Sequence, residues 1–288
     1  MLVDIRSPMF ILLIIITISA QNVLKKGYFN KVKGGGVFSY SLFTVLTACM
    51  LFGGIWLVDP YFSPEVIPYA LLFAFGYAMA TVFTLIALRC GSLSLTSLVV
   101  SFSLIIPTLY GIIFDNEPIG IPMIIGLLLL AVSLVLINAE KGEKKITFGW
   151  TVAVTLAFIG NGLCSTVQTV QTKVFGGIYN SVFMFASLII VVVFLLVSAL
   201  VKEREVILSS FKGGWYMMVF AGAANWLCNL LVMLTSEMAP KSVFFPVISA
   251  GGIVATWLVS RLFYKESLSA RQNAGMILGL ASIVLLNM

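Results

Sequence analysis

Phe114 to Asn138 reads FDNEPIGIPMIIGLLLLAVSLVLIN, and Phe263 to Asn287 reads FYKESLSARQNAGMILGLASIVLLN. Offset by 149 residues, the two stretches align without a gap, and eight of 25 positions are identical. The Leu129/Leu278, Val135/Val284 and Leu136/Leu285 matches follow from apolar composition. Phe114/Phe263, Glu117/Glu266, Gly126/Gly275, Ser133/Ser282 and Asn138/Asn287 do not, and they define an internal repeat. A weaker echo joins Gln21-x-Val23-x-x-Lys26 to Gln168-x-Val170-x-x-Lys173. Between the copies lies the most hydrophilic internal stretch, Ala139 to Thr147 (AEKGEKKIT). The chain therefore reads as residues 1–142 followed by residues 143–288.

Each copy is a membrane unit. Of 288 residues, 60% are apolar and 10% are charged, and the mean hydropathy is +1.11. A soluble domain carries about 25% charged residues, so this chain cannot cover a surface facing water. That excludes a soluble enzyme, a disordered protein and a nucleic-acid-binding domain, although the net charge is +6. The basic residues sit in short loops between long apolar runs. Ten such runs are legible, near 8–25, 37–58, 66–88, 92–114, 119–138, 148–173, 179–201, 213–236, 240–263 and 270–287. The first reads as a span rather than a cleaved signal, because Gln21 and Asn22 continue its helix past Ser19-Ala20.

The expected fold is all-α and polytopic, with five spans per copy. A second copy of an odd-span unit enters the membrane from the opposite side. The copies are thus expected to be inverted repeats, with a substrate cavity near the midplane.

Polar residues recur at helical spacing along several spans, where lipid-facing positions have no use for them. Segment six carries Asn161, Ser165, Gln168 and Thr172; segment eight carries Asn225, Asn229 and Ser236. Segment nine carries Ser242, Ser249, Thr256 and Ser260; segment four carries Ser94, Ser97, Ser101 and Thr108. Segment three adds Tyr77, Thr81 and Thr84, and segment one ends with Thr17 and Gln21. Candidate substrate-binding residues are Gln21, Tyr77, Thr81, Ser101, Asn161, Gln168, Gln171, Asn225, Trp226, Asn229 and Ser249. The competing reading for each is hydrogen bonding that holds the bundle together. Amides weigh most, because each must satisfy several groups. Trp226 and its offset counterpart Tyr77 would flank a ligand or simply pack. Pro107 and Pro246 each remove a backbone hydrogen bond from a span.

Segments five, seven and ten are mostly Leu, Ile and Val and read as peripheral. Gly275 and Gly279 form a small-residue patch on segment ten, suited to another helix or to a second copy of the chain as a homodimer.

All eleven acids lie at or near segment ends. No central carboxylate is available for proton-coupled cation export, and only Glu237 approaches a span. Glu117 and Glu266 are expected to cap the helix that follows each. Lys26 and Lys173 occupy matching span ends. With no histidine and no Cys-x-x-Cys pair, neither a metal site nor a cofactor is expected, and acid–base catalysis has little to work with. Fourteen of the 17 Lys and Arg fall on one side, in the loops after odd-numbered segments. The positive-inside rule then puts both termini outside the cytoplasm.

Ala87-Leu88-Arg89-Cys90-Gly91-Ser92, Phe114-x-x-Glu117 before a Gly-bearing segment, and its repeat at Phe263 to Glu266 resemble the drug/metabolite transporter superfamily, EamA-like branch. The resemblance covers residues 8–287. It implies a ten-helix basket around a central cavity, working by alternating access, often as an exporter of amino acids, sugars or other small metabolites. It also implies cytoplasmic termini, opposite to the loop charges. The expected function is a multi-pass plasma-membrane transporter of a small polar or amphipathic metabolite, acting on a soluble small molecule within the lipid bilayer. A flippase of a lipid-linked substrate is the alternative.

Overall fold

In the computed structural model, residues 6–90, 96, 99–100, 102–138, 147–264 and 270–286 are described. The described chain is helical, without strands. We label the helices α1 (Arg6–Lys31), α2 (Val37–Val58), α3 (Ile67–Cys90), α4 (Ile105–Phe114), α5 (Ile121–Asn138), α6 (Phe148–Phe175), α7 (Asn180–Lys202), α8 (Ile207–Met238), α9 (Lys241–Tyr264) and α10 (Ala270–Leu286). Stretches within α1, α2, α6, α7 and α8, and Pro64–Ala87 including most of α3, are long and apolar enough to cross a membrane. The chain is an α-helical membrane protein by that measure. Shorter apolar stretches cover Phe102–Phe114, Ile121–Ser133 and Asn273–Ser282.

Several boundaries differ from the apolar runs. Helix α1 continues to Lys31, six residues beyond its run, because Tyr28 and Phe29 pack into the core of unit two and no proline interrupts Lys26 to Lys31. Helix α8 starts at Ile207 and is interrupted at Gly214, whose backbone is non-helical. In segment four a 3-10 turn at Phe102–Leu104 precedes α4. Pro107 then falls in the first turn of α4, where a missing N–H costs little. Pro246 lies inside α9.

The chain forms two compact units, and their boundary is not the repeat boundary. Unit one is built from Met1–Ser7, Phe75–Val167 and Met238–Met288; unit two is Pro8–Ala74 and Gln168–Glu237. Each draws on both sequence copies.

Within the units, helices related by the repeat pack on each other. In unit one α5 packs along α10, and α4 packs along α9. In unit two α2 packs along α7. The α5–α10 seam holds the residues that reveal the repeat: buried Ser133 donates to the Gly275 carbonyl at 2.6 Å. A Cβ on Gly279 would lie 2.8 Å from Ser133 Oγ. The small-residue patch of segment ten is thus occupied by α5 of the same chain. The opposite faces of these helices show Leu128, Ile277 and Val284, all more than 60% exposed.

Glycines set the closest approaches. In unit one α3 and α6 cross where a Cβ on Gly160 would lie 2.7 Å from both Gly76 O and Ala80 N. In unit two a Cβ on Gly222 of α8 would lie 2.5 Å from Thr44 O of α2. The core of unit two includes Tyr28, Tyr40, Met218 and Ala221, joined by Phe29 and Phe43. In unit one Trp150 packs with Ala87, Ala153 and Val154, and its Nε1 donates to Thr96 Oγ1 at 3.0 Å.

Candidate functional site

The candidate residues divide between the units. Unit two holds Gln21, Gln168, Gln171, Asn225, Trp226 and Asn229; unit one holds Tyr77, Thr81, Asn161 and Ser249. Ser101 lies outside the described residues.

In unit two the amides form one chain across three helices. Asn225 of α8 donates through Nδ2 to Gln21 Oε1 of α1 at 3.1 Å. One turn on, Asn229 Nδ2 donates to the Asn225 carbonyl at 2.8 Å and stands 3.3 Å from Asn225 Oδ1. Gln168 of α6 donates through Nε2 to the Asn229 carbonyl at 2.9 Å. Thr172 extends the chain from α6 to α7 by donating to Asn180 Oδ1 at 2.8 Å. The spacings 21, 225/229 and 168/172 place each amide on the face its helix turns toward the others. No ionised side chain takes part in these bonds.

Two groups in this region are unsatisfied. Gln171 is fully buried, and neither its Nε2 nor its Oε1 has a partner. The indole N–H of Trp226 is buried and unpartnered as well. Trp226 meets Phe52 edge-on, at 6.4 Å between ring centres. A buried polar group left without a partner costs about 1–3 kcal/mol.

In unit one Asn161 donates to Ser103 Oγ at 2.6 Å. Ser103 is fully buried and was not among the expected residues. Its helical phase is hidden because it sits in the 3-10 turn at Phe102–Leu104, which breaks the spacing running from Ser94 to Thr108. Ser249 and Thr108 are the polar members of a small, mostly apolar recess. Phe102, Leu104, Ile105, Leu127, Leu130 and Pro246 complete it. Tyr77 and Thr81 are half-buried on α3.

One expectation is corrected. Glu117 does not cap α5, the helix that follows it. Its carboxylate caps α9, accepting from Lys241 N at 2.8 Å and Ser242 N at 2.7 Å. The turn at Asp115–Asn116, with Asn116 at φ 53°, carries Glu117 back over Gly111 and onto α9. Glu266 lies outside the described residues. Lys241, counted among loop charges, is buried and ion-paired with Asp115 at 2.7 Å. Glu237 is exposed at the end of α8, with its carboxylate beside Gly177. Lys173 is exposed.

Among the described residues no cluster of three or more His, Cys, Asp or Glu could hold a metal. Cys49, Cys164 and Cys228 are free thiols.

No family model matches the chain. No curated protein matches it either. The fold is that of a solved protein crystal structure, with a TM-score of 0.78 over 97% of this chain and 98% of that one. Sequence identity is 12%, so the likeness concerns the fold alone.

Proposed function

We propose that the chain is a ten-span, EamA-like secondary transporter of a small, polar or amphipathic metabolite such as an amino acid or sugar, built from two inverted repeats and working by alternating access. The observation that carries this reading is the uncharged amide chain through Gln21, Asn225, Asn229 and Gln168, bordered by the unpaired amide of Gln171 and indole of Trp226. Amides bring both donors and acceptors, and neutral groups let a polar solute bind without burying a net charge. The packing of α2 on α7, α4 on α9 and α5 on α10 supports the repeat. Lipid-facing Leu128, Ile277 and Val284 support a multi-pass protein, and the plasma membrane is the proposed location.

The test is thermal stability of the purified protein against amino acids, sugars, nucleosides and organic cations. A ligand at a hundredfold excess over its dissociation constant adds about 2.7 kcal/mol. A saturable rise with one neutral or zwitterionic class, abolished by Gln171→Leu, is expected. Gln171→Leu alone should raise the melting temperature, because it removes an orphaned amide worth about 1–3 kcal/mol. A ligand response that survives Gln171→Leu and Asn229→Leu would retire this site.

The alternative reading is flipping of a lipid-linked substrate. That reading expects stabilisation by lipid-linked ligands and none by soluble solutes.

A further inference from the structure

We propose that one end of unit two, where α1 and α7 finish and α2 and α8 begin, is a binding platform for the phosphate headgroups of anionic phospholipids. The platform needs only a chain that spans a bilayer, whatever that chain carries across.

Packing brings three basic segments together. Lys31 and Lys33 flank Val32 at the end of α1, and a Cβ on Gly213 of α8 would lie 3.0 Å from Val32 Cγ2. Lys212 precedes that glycine. Lys202 and Arg204 flank Glu203, whose carboxylate bonds the first turn of α2 at Phe38 N and Ser39 N. All five cations are exposed, and among the described residues none of them pairs with a carboxylate. Two are held on aromatic rings instead. Lys31 donates to Tyr216 Oη at 3.2 Å and stands 4.8 Å from the centre of that ring. Lys202 stands 5.5 Å from the centre of the Phe38 ring. Of the two acids in these segments, Glu203 is spent on α2, and Glu205 is left exposed. The end therefore carries an uncompensated positive charge.

The apolar neighbours decide which anion fits it. Gly214 interrupts α8, so residues 207–213 form a short helical stretch ahead of the span. Leu208 and Phe211 are exposed on that stretch, three residues apart, and Trp215 is exposed just beyond the break. Phe211 also leans on Phe43 of α2, at 4.6 Å between ring centres. Cations beside an exposed indole and apolar side chains are the makeup of a segment lying at a membrane surface. The ends of spanning helices stand at the level of the headgroups. A soluble anion could use the charges, but it would leave Leu208, Phe211 and Trp215 in water. A phospholipid offers its phosphate to the cations and its acyl chains to these three. A zwitterionic headgroup carries its own ammonium, so the platform selects lipids with a net negative charge.

Thermal melts of the full chain in detergent, titrated with phosphatidylglycerol or with phosphatidylcholine of the same acyl chains, test this. Phosphatidylglycerol is expected to raise the melting temperature saturably, and added salt to weaken the effect. Phosphatidylcholine is expected to raise it far less. Each cation at an anionic lipid surface is worth about fivefold in affinity. Replacing Lys33, Arg204 and Lys212 together by Gln should thus weaken phosphatidylglycerol binding about a hundredfold, and Lys33→Gln alone about fivefold. The single variant decides the matter where the triple one does not fold. Lys173→Gln, on an exposed cation at the end of α6, should leave the response unchanged. Inorganic phosphate should produce no shift. Equal stabilisation by the two lipids, or an undiminished phosphatidylglycerol response in the substituted chains, would overturn the proposal. A shift with phosphate alone would overturn it too, by making the platform a site for a free anion.

Discussion

Two glutamates do the same work in the two units, and they do it in different surroundings. In unit one Glu117 follows α4 and caps α9; in unit two Glu203 follows α7 and caps α2. In both, the carboxylate reaches the helix that the repeat pairs with its own. Both carboxylates also lie against a glycine, Gly111 or Gly36, at which a side chain would displace them. The difference is in the second layer. The residue capped by Glu117 is Lys241, whose buried ammonium pairs with Asp115 and stands 4.9 Å over the Tyr110 ring. Around Glu203 the neighbours are hydroxyls. Ser39 Oγ donates to it, and Ser210 Oγ accepts from Gly36 N at 3.0 Å. Lys202 reaches the Phe38 ring at 5.5 Å without pairing with Glu203. A cap locked by a buried ion pair is costly to open, whereas one surrounded by hydroxyls can trade partners. The same motif thus sits against a buried ion pair in one unit and among hydroxyls in the other.

The largest expected effect breaks the buried ion pair. Asp115→Ala leaves the Lys241 charge buried without its partner, at 3% exposure. That costs about 3–5 kcal/mol, read as a fall in melting temperature in detergent. Pairing it with Lys241→Met should recover most of the loss, because two apolar groups need no partner. A double variant as unstable as the single one would mean that the ion pair is not what locks the cap.

Glu117→Ala comes next. It removes two charge-assisted bonds and strands the amides of Lys241 and Ser242, both buried, for about 2–3 kcal/mol. Glu203→Ala should cost less, about 1–2 kcal/mol, because Ser39 Oγ becomes free to turn to its own helix terminus and the Ser210 bond to Gly36 stays. Equal losses in a side-by-side melt would erase the distinction between the caps.

The sequence shows this comparison only in part. The match of Glu117 with Glu266 is visible in the repeat, but the helix that Glu117 caps is not. Local spacing pointed to α5, the next helix in the chain, and the true partner begins 124 residues away from it in sequence. Lys241 reads as one more loop charge, because a lone basic residue after Ala239-Pro240 carries no sign of burial. The amides of unit two were legible, since apolar spans seldom carry four of them at helical spacing. The unpaired state of Gln171 was not, because satisfaction depends on neighbours from other helices. Ser103 escaped for a local reason, the 3-10 turn that shifts its phase. The division into units was invisible too. It follows from packing between repeat-related helices, which a linear repeat boundary hides.

The smallest effect sharpens the comparison at the seam where the repeat was first seen. Ser133 and Ser282 are identical by the repeat and equally buried, but they spend their hydroxyls differently. Ser133 reaches across to the Gly275 carbonyl at 2.6 Å, while Ser282 turns back to Gly279 of its own helix at 2.7 Å. A bond between helices holds the packing, whereas a bond to one's own turn only replaces water with backbone and is neutral or slightly destabilising. Ser133→Ala should therefore lower stability by about 1 kcal/mol, and Ser282→Ala should leave it within about 0.5 kcal/mol. The pair is informative because chemistry, burial and repeat position are held constant, so any difference in melting temperature reports the partner alone. Equal losses would mean that the hydroxyls act through packing volume, and that the α5–α10 seam is symmetric in energy although it is not symmetric in its bonds.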